Sequence, residues 1–216
     1  SRFESSMAAF QTSLGYMIQS AEHLLTWIDK RHKIPVYKKG NLPEVDDFYT
    51  DDGMEEIQET FDKYESRGFF EIDMKYVEDN FIEDVKTDIH LLQSLREEWF
   101  GKENVIKQDP KLDSFIEIAK KKLEQEPERK LIVFSEYADT VDYLGKKLVE
   151  AGLPVMKYTS ADASPNNKER IRANFDAGLK KELQRDDYKI LVATDAISEG
   201  YNLHRAGAIF NYDIPY

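Results

Sequence analysis

Four short runs, apolar at nearly every position, constrain this chain more than any other feature. They are Leu131–Phe134, Val155–Tyr158, Ile190–Ala193 and Ala208–Phe210. A strand with one wet face alternates apolar and polar residues, so runs without alternation predict strands buried on both faces. Helical patterns separate them: Val141, Leu144, Leu148 and Val149 follow the first run, and Ile171 and Phe175 follow the second. Gly152 and Gly178 punctuate those helices, and another helix, with Leu112, Phe115, Ile116, Ala119 and Leu123 on one side, spans Lys111 to Glu126. Strands separated by helices predict a parallel α/β sheet with right-handed crossovers.

The first half has a different period. Leu14, Met17, Ile18, Ala21, Leu24, Leu25 and Ile28 form one helical stripe ending near Ile34-Pro35. Met54, Ile57, Phe61 and Tyr64 form a second, and Val77, Phe81, Val85, Ile89, Leu92, Leu95 and Trp99 a third. All three are expected to be core faces. The expected organisation is therefore an all-helical region over 1–108 and an α/β lobe over 109–216. Charge divides the same way: residues 1–108 carry 13 Lys and Arg against 23 Asp and Glu, and residues 109–216 carry 17 against 19. The overall net charge of −12 argues against a free-standing nucleic-acid binder with a basic face. The chain has no cysteine, which removes disulfides, thiol catalysis and zinc–thiolate sites together and makes a cytoplasmic setting the expectation. No run approaches the length of a membrane span, so no membrane is expected among the partners. The four histidines show no ligand spacing. A calcium loop ending at Glu59 fails because Phe48 and Thr50 would stand at ligand positions.

In open α/β sheets, ligands bind beyond the carboxyl ends of the strands. The residues there are Ser135-Glu136, Thr159-Ser160, Thr194-Asp195 and Asp213. Small hydroxyls and backbone amides at such exits suit phosphate oxygens. Several have a plainer role as helix caps: Ser164 before Pro165, Asp139 or Thr140, and Asp195. The turn Ser198-Glu199-Gly200-Tyr201-Asn202 is mostly polar between two core strands. No GxxxxGK[ST], GxGxxG or GxSxG motif is present, and no pair of carboxylates is placed for acid–base work.

Residues 109–216 resemble the second RecA-like lobe of superfamily-two helicases, in particular bacterial Swi/Snf-like ATP-dependent DNA translocases. "DPKLDSFIEIAKKKLEQEPERKLIVFSEYADTVDYLGKKL" is similar to the entry to that lobe, with LIVFSEY as its fourth motif. "TSADASPNNKERIRANF" is similar to the next helix, with Arg170 and Phe175 at its recurring positions. "ILVATDAISEGYNLHRAGAIFNYDIPY" is similar to the fifth motif and the strand end after it. The resemblance implies that Ser135 and Thr194, and less directly Thr159 and Ser160, touch the nucleic-acid backbone. It implies that Glu199, Gly200 and Asn202 approach the nucleotide. ATP with magnesium would be held mainly by a first lobe, joined in cis, that these residues do not include. The family's next element, an Arg-rich QRxGRxxR motif, is expected just after Tyr216, so the chain reads as truncated before it and inactive in ATP hydrolysis by itself. The expected partner is nucleic acid, with a double-stranded DNA backbone as the substrate. The alternative is a non-catalytic module that uses its acidic helical half to bind a protein, and a third reading is a nucleotide-binding α/β protein unrelated to motors.

Overall fold

The structure is a computed structural model that describes residues 5–37, 63–66, 68–197 and 201–213. Two compact units divide it: Ser1–Ser13 with Glu103–Tyr216, and Leu14–Lys102. These units group the chain up to Ser13 with the lobe and place the later boundary between Lys102 and Glu103, beside the expected 108/109. No helix among the described residues is long and apolar enough to cross a membrane.

In the lobe, helix α1 (Met7–Arg31) contributes its first two turns, and α3 (Pro110–Gln125) leads into strand β3 (Lys130–Phe134). Then come α4 (Ala138–Glu150), β4 (Val155–Tyr158), α5 (Pro165–Phe175), β5 (Ile190–Ala193) and β6 (Ala206–Asn211). The four strands form one parallel sheet in the order β4-β5-β3-β6. This is the parallel α/β sheet flanked by helices, after a helical region, that the sequence predicts.

Side chains alternate along a strand, and here both sets are apolar. Leu131 and Val133 of β3, with Ile190 and Val192 of β5, pack against Leu112, Phe115 and Ala119 of α3 and Val141, Leu144 and Leu148 of α4. Ile132, Leu191 and Ala193 face the other way, against Ile171 and Phe175 of α5. That two-sided packing is why the runs lack a polar period. The two edge strands depart from it: β4 exposes Lys157 on one face, and β6 alternates half-buried and exposed residues, with Ile209 66% exposed.

Local signals set the helix ends. Ser164 Oγ accepts from Asn167 N at 3.2 Å ahead of Pro165, as its position predicts. Gly152, at φ +81°, closes α4 while Leu153 N bonds back to Leu148 O at 3.0 Å. Neither Asp139 nor Thr140 caps α4. The helix starts at Ala138, with Tyr137 at the cap position, and Thr140 lies fully buried in its first turn. Asp109 caps α3 instead, accepting from Leu112 N at 3.0 Å.

The other unit holds the rest of α1, strands β1 (Lys33–Tyr37) and β2 (Phe69–Asp73), and α2 (Phe81–Phe100). The expectation of an all-helical region is corrected here, since β1 and β2 pair antiparallel. Ile34 and Pro35 lie in β1 and not at a helix end; α1 stops at Arg31, and His32 turns the chain at φ +54°. Among the described residues the ladder has two strands, so each is an edge strand, where a proline is tolerated. The third stripe also shifts: Trp99 is 52% exposed, Phe100 is fully buried, and Val77 precedes the helix. Met54, Ile57 and Phe61, with the rejected calcium loop, lie outside the described residues.

Candidate nucleic-acid interface

The strand register decides where the exit residues stand. Phe134 is level with Ala193 on one side and Asn211 on the other, and Ala193 is level with Tyr158. The next residue of each strand therefore falls in one row along the carboxyl edge: Thr159, Thr194, Ser135 and Tyr212. The ladder continues into this row, with Thr194 N donating to Tyr158 O at 3.1 Å, Ser135 N to Ala193 O at 3.1 Å and Tyr212 N to Phe134 O at 2.8 Å. Neighbouring strands lie about 4.8 Å apart, so the row spans roughly 15 Å.

The members of the row differ in access. Thr159 is buried, and its N–H and hydroxyl both bond Asp162 Oδ2 at 2.9 Å, which closes the short turn Ser160–Asp162. Ser160 is exposed at the tip of that turn. Thr194 is 7% exposed, and its carbonyl accepts from Ile197 N at 3.3 Å.

Ser135 is 3% exposed and committed. Its hydroxyl donates to Asp213 Oδ1 at 3.1 Å and accepts from Tyr137 N at 3.2 Å. Asp213 Oδ2 takes Glu136 N at 2.5 Å, and Asp213 Oδ1 also takes the hydroxyl of Ser5. Ser5 Oγ and Ser6 Oγ lie 2.8 Å and 2.9 Å from Thr140 Oγ1. Lys111 Nζ donates to Ser5 O at 2.8 Å and stands 4.2 Å from the centre of the Tyr212 ring. Burial pulls the Lys111 ammonium below the usual lysine range, against the opposing pull of Asp213 and Asp109. Burial also raises the phenols of Tyr143 and Tyr212, with Asp109 adding to both, so each stays protonated and Tyr143 donates to Asp109 Oδ2 at 3.0 Å.

Asn202 belongs to a different feature. With Tyr201, Arg172, Asp176, Gly178 and Leu179 it lines an open cleft of about 450 Å³. Tyr201 stands edge-on to Tyr158, at 6.3 Å between centroids, and its phenol is raised to about 12, by burial first and Tyr158 second. Glu199 and Gly200 lie outside the described residues. The structure thus brings Ser135, Thr159 and Thr194 into one row with Ser160 beside it, and places Asn202 in a separate cleft. Ser5, Ser6 and Thr140 carry no sequence signal for the row. Ser5 meets Ser135 and Asp213 only through folding, across 130 and 208 positions, and Thr140 joins the cluster through Ser5 and Ser6.

Residues 111–216 match the family model described as helicase conserved C-terminal domain. A curated relative, the DEAD-box ATP-dependent RNA helicase CshB of Listeria monocytogenes serovar 1/2a, is 30% identical over 84 residues, 39% of this chain and 17% of that protein. Among solved structures, the Pyrococcus furiosus Hef helicase domain is 21% identical with a TM-score of 0.41, over 62% of this chain and 25% of that one. The C-terminal part of the Fun30 ATPase domain is 18% identical with a TM-score of 0.41, over 65% and 47%. The chain thus spans under a fifth of the curated relative's length and less than half of either structure.

Proposed function

Starting from a helicase conserved C-terminal domain over residues 111–216, we propose that the chain supplies the second motor lobe of an ATP-dependent helicase or translocase of the bacterial Swi/Snf-like kind, with DNA as its track. The observation that carries this reading is the row of hydroxyl side chains, Thr159, Thr194 and Ser135, along one sheet edge. Hydroxyls and amides hold phosphate oxygens without reading bases, which a motor moving over any sequence requires. The lobe's near balance of charge suits contacts that release again.

Asn202 is exposed, and its amide offers both donor and acceptor to a nucleotide's ribose or base. The 216 residues contain no GxxxxGK[ST] loop. The phosphates of ATP and their magnesium would therefore be held by a partner lobe, and the purified chain is expected to show no ATP hydrolysis above a buffer blank, with or without DNA. DNA-stimulated turnover by the chain alone would overturn the half-site reading.

The test of the proposal is Thr194→Ala in the intact enzyme. Losing one hydrogen bond to a phosphate, about 1.5 kcal/mol, should lower the DNA-stimulated rate of ATP hydrolysis about tenfold while the melting curve holds. An unchanged stimulated rate removes Thr194 from the interface. A second reading, RNA as the track, is favoured by the relative whose name makes it an RNA helicase. Stimulation by an RNA duplex and not by a DNA duplex of the same sequence would replace the first reading with the second.

A further inference from the structure

Three donors converge on one carboxylate at the exit of β3: the hydroxyls of Ser5 and Ser135 and the N–H of Glu136, all on Asp213. Asp213 is 8% exposed, so its charge is held by these donors and not by bulk water. A hydroxyl, a backbone amide and a second hydroxyl are also what a phosphate oxygen would take at a strand exit. A carboxylate and a phosphodiester are both anionic acceptors, and two anions cannot share one set of donors without mutual repulsion.

We propose that the β3 exit is a phosphate-backbone site that the chain keeps filled with its own Asp213, and that the segment Ser5–Ser13 is the strap holding it shut. This rests on the nucleic-acid reading above and adds its regulation: the strap must lift before Ser135 and Glu136 can hold a phosphate.

The strap is built to lift. Its hold on the lobe includes Ser5 and Ser6 on Thr140, Ser5 on Asp213, Lys111 on the Ser5 carbonyl and Gln11 on Asn104. Ala9 is the one fully buried apolar side chain it contributes. A few hydrogen bonds at a chain segment open locally at less cost than unfolding the lobe's packed core. Withdrawing Ser5 takes one of three donors from Asp213 and uncovers Ser135. Lys111 remains beside the exit as a cation suited to either anion.

The test uses the full chain and a fluorescein-labelled DNA duplex, with an RNA duplex of the same sequence alongside, read by anisotropy. Ser5→Ala/Ser6→Ala is expected to bind one of the duplexes about tenfold more tightly than the unaltered chain. Adding Ser135→Ala should cancel that gain. Because the chain has no native cysteine, Ser6→Cys/Thr140→Cys supplies a second arm: its oxidised form should bind about tenfold more weakly than its reduced form. This arm decides the matter if the alanine pair loses its cooperative melt. Equal binding by strapped and unstrapped forms overturns the strap and leaves the nucleic-acid reading intact. A gain that survives Ser135→Ala also overturns it, since the phosphate would then enter elsewhere. No binding by any form overturns both.

Discussion

Lys130→Ala is expected to lower the stability of the lobe by about 4 kcal/mol, the largest effect of any single substitution considered. Lys130 opens β3 with its side chain fully buried. Its ammonium donates to Tyr188 O at 2.6 Å and pairs with Asp186 Oδ1 at 2.9 Å, 5.1 Å from the centre of the Phe175 ring. Burial pulls the ammonium below the usual lysine range, and the Asp186 hydrogen bond opposes that pull. Asp186 is in turn held below the usual carboxylate range, chiefly by Lys130. Arg205 completes the cluster, donating to the carbonyls of Asn174 at 3.0 Å and Arg185 at 2.7 Å and to Asp186 at 2.8 Å. These bonds join the end of α5, the loop before β5 and the start of β6. Truncation removes the buried stem and leaves the half-buried Tyr188 carbonyl without this donor. Lys130→Met restores the stem and should recover about half of the loss. Urea unfolding of the three proteins checks this, and a shift below about 0.5 kcal/mol for Lys130→Ala would refute the account.

Glu71→Ala should destabilise the Leu14–Lys102 unit by about 3 kcal/mol at neutral pH, in the range for breaking a buried ion pair. The Glu71 side chain is 7% exposed on β2. Arg31 grips it in a fork, at 2.5 Å and 2.9 Å, Trp27 Nε1 donates at 2.8 Å, and Lys33 stands at 3.4 Å. Burial alone would raise the carboxyl; the Arg31 and Trp27 hydrogen bonds and the two cations outweigh it and hold it below the usual glutamate value of 4.5. A carboxyl with a lowered folded-state pKa stabilises fully above its unfolded value and loses that contribution as pH falls through the folded one. The gap between the two proteins should therefore be widest at neutral pH and narrow once the pH falls below about 4.5. A gap that does not change with pH would show that Glu71 acts by packing and not by charge.

The family match over residues 111–216 does not favour partner capture by the acidic half as the main role. The site was partly legible beforehand. Ser135, Thr159 and Thr194 can be named because each follows a strand run, and the register then puts them in one row. Their access could not be read the same way. Whether a hydroxyl at an exit is open depends on what folds over it. Ser135 is covered by residues 130 positions away, and Thr159 by an aspartate three positions away.

By itself the sequence determined what short-range periodicity controls: which four runs become the strands of the parallel sheet, where the lobe's helices lie between them, and where Ser164, Pro165 and Gly152 end them. These are backbone and neighbour effects, so neighbours suffice to specify them. Only the tertiary structure decided that a lysine opening a strand would be sealed from water, that Phe100 and not Trp99 would be buried, and that Ile34-Pro35 would pair with a second strand. It also decided that Ser5 and Ser6 would close over the β3 exit. Each outcome depends on which distant group supplies a hydrogen-bond partner or apolar cover, and a buried polar group is tolerated only where the whole fold supplies that partner.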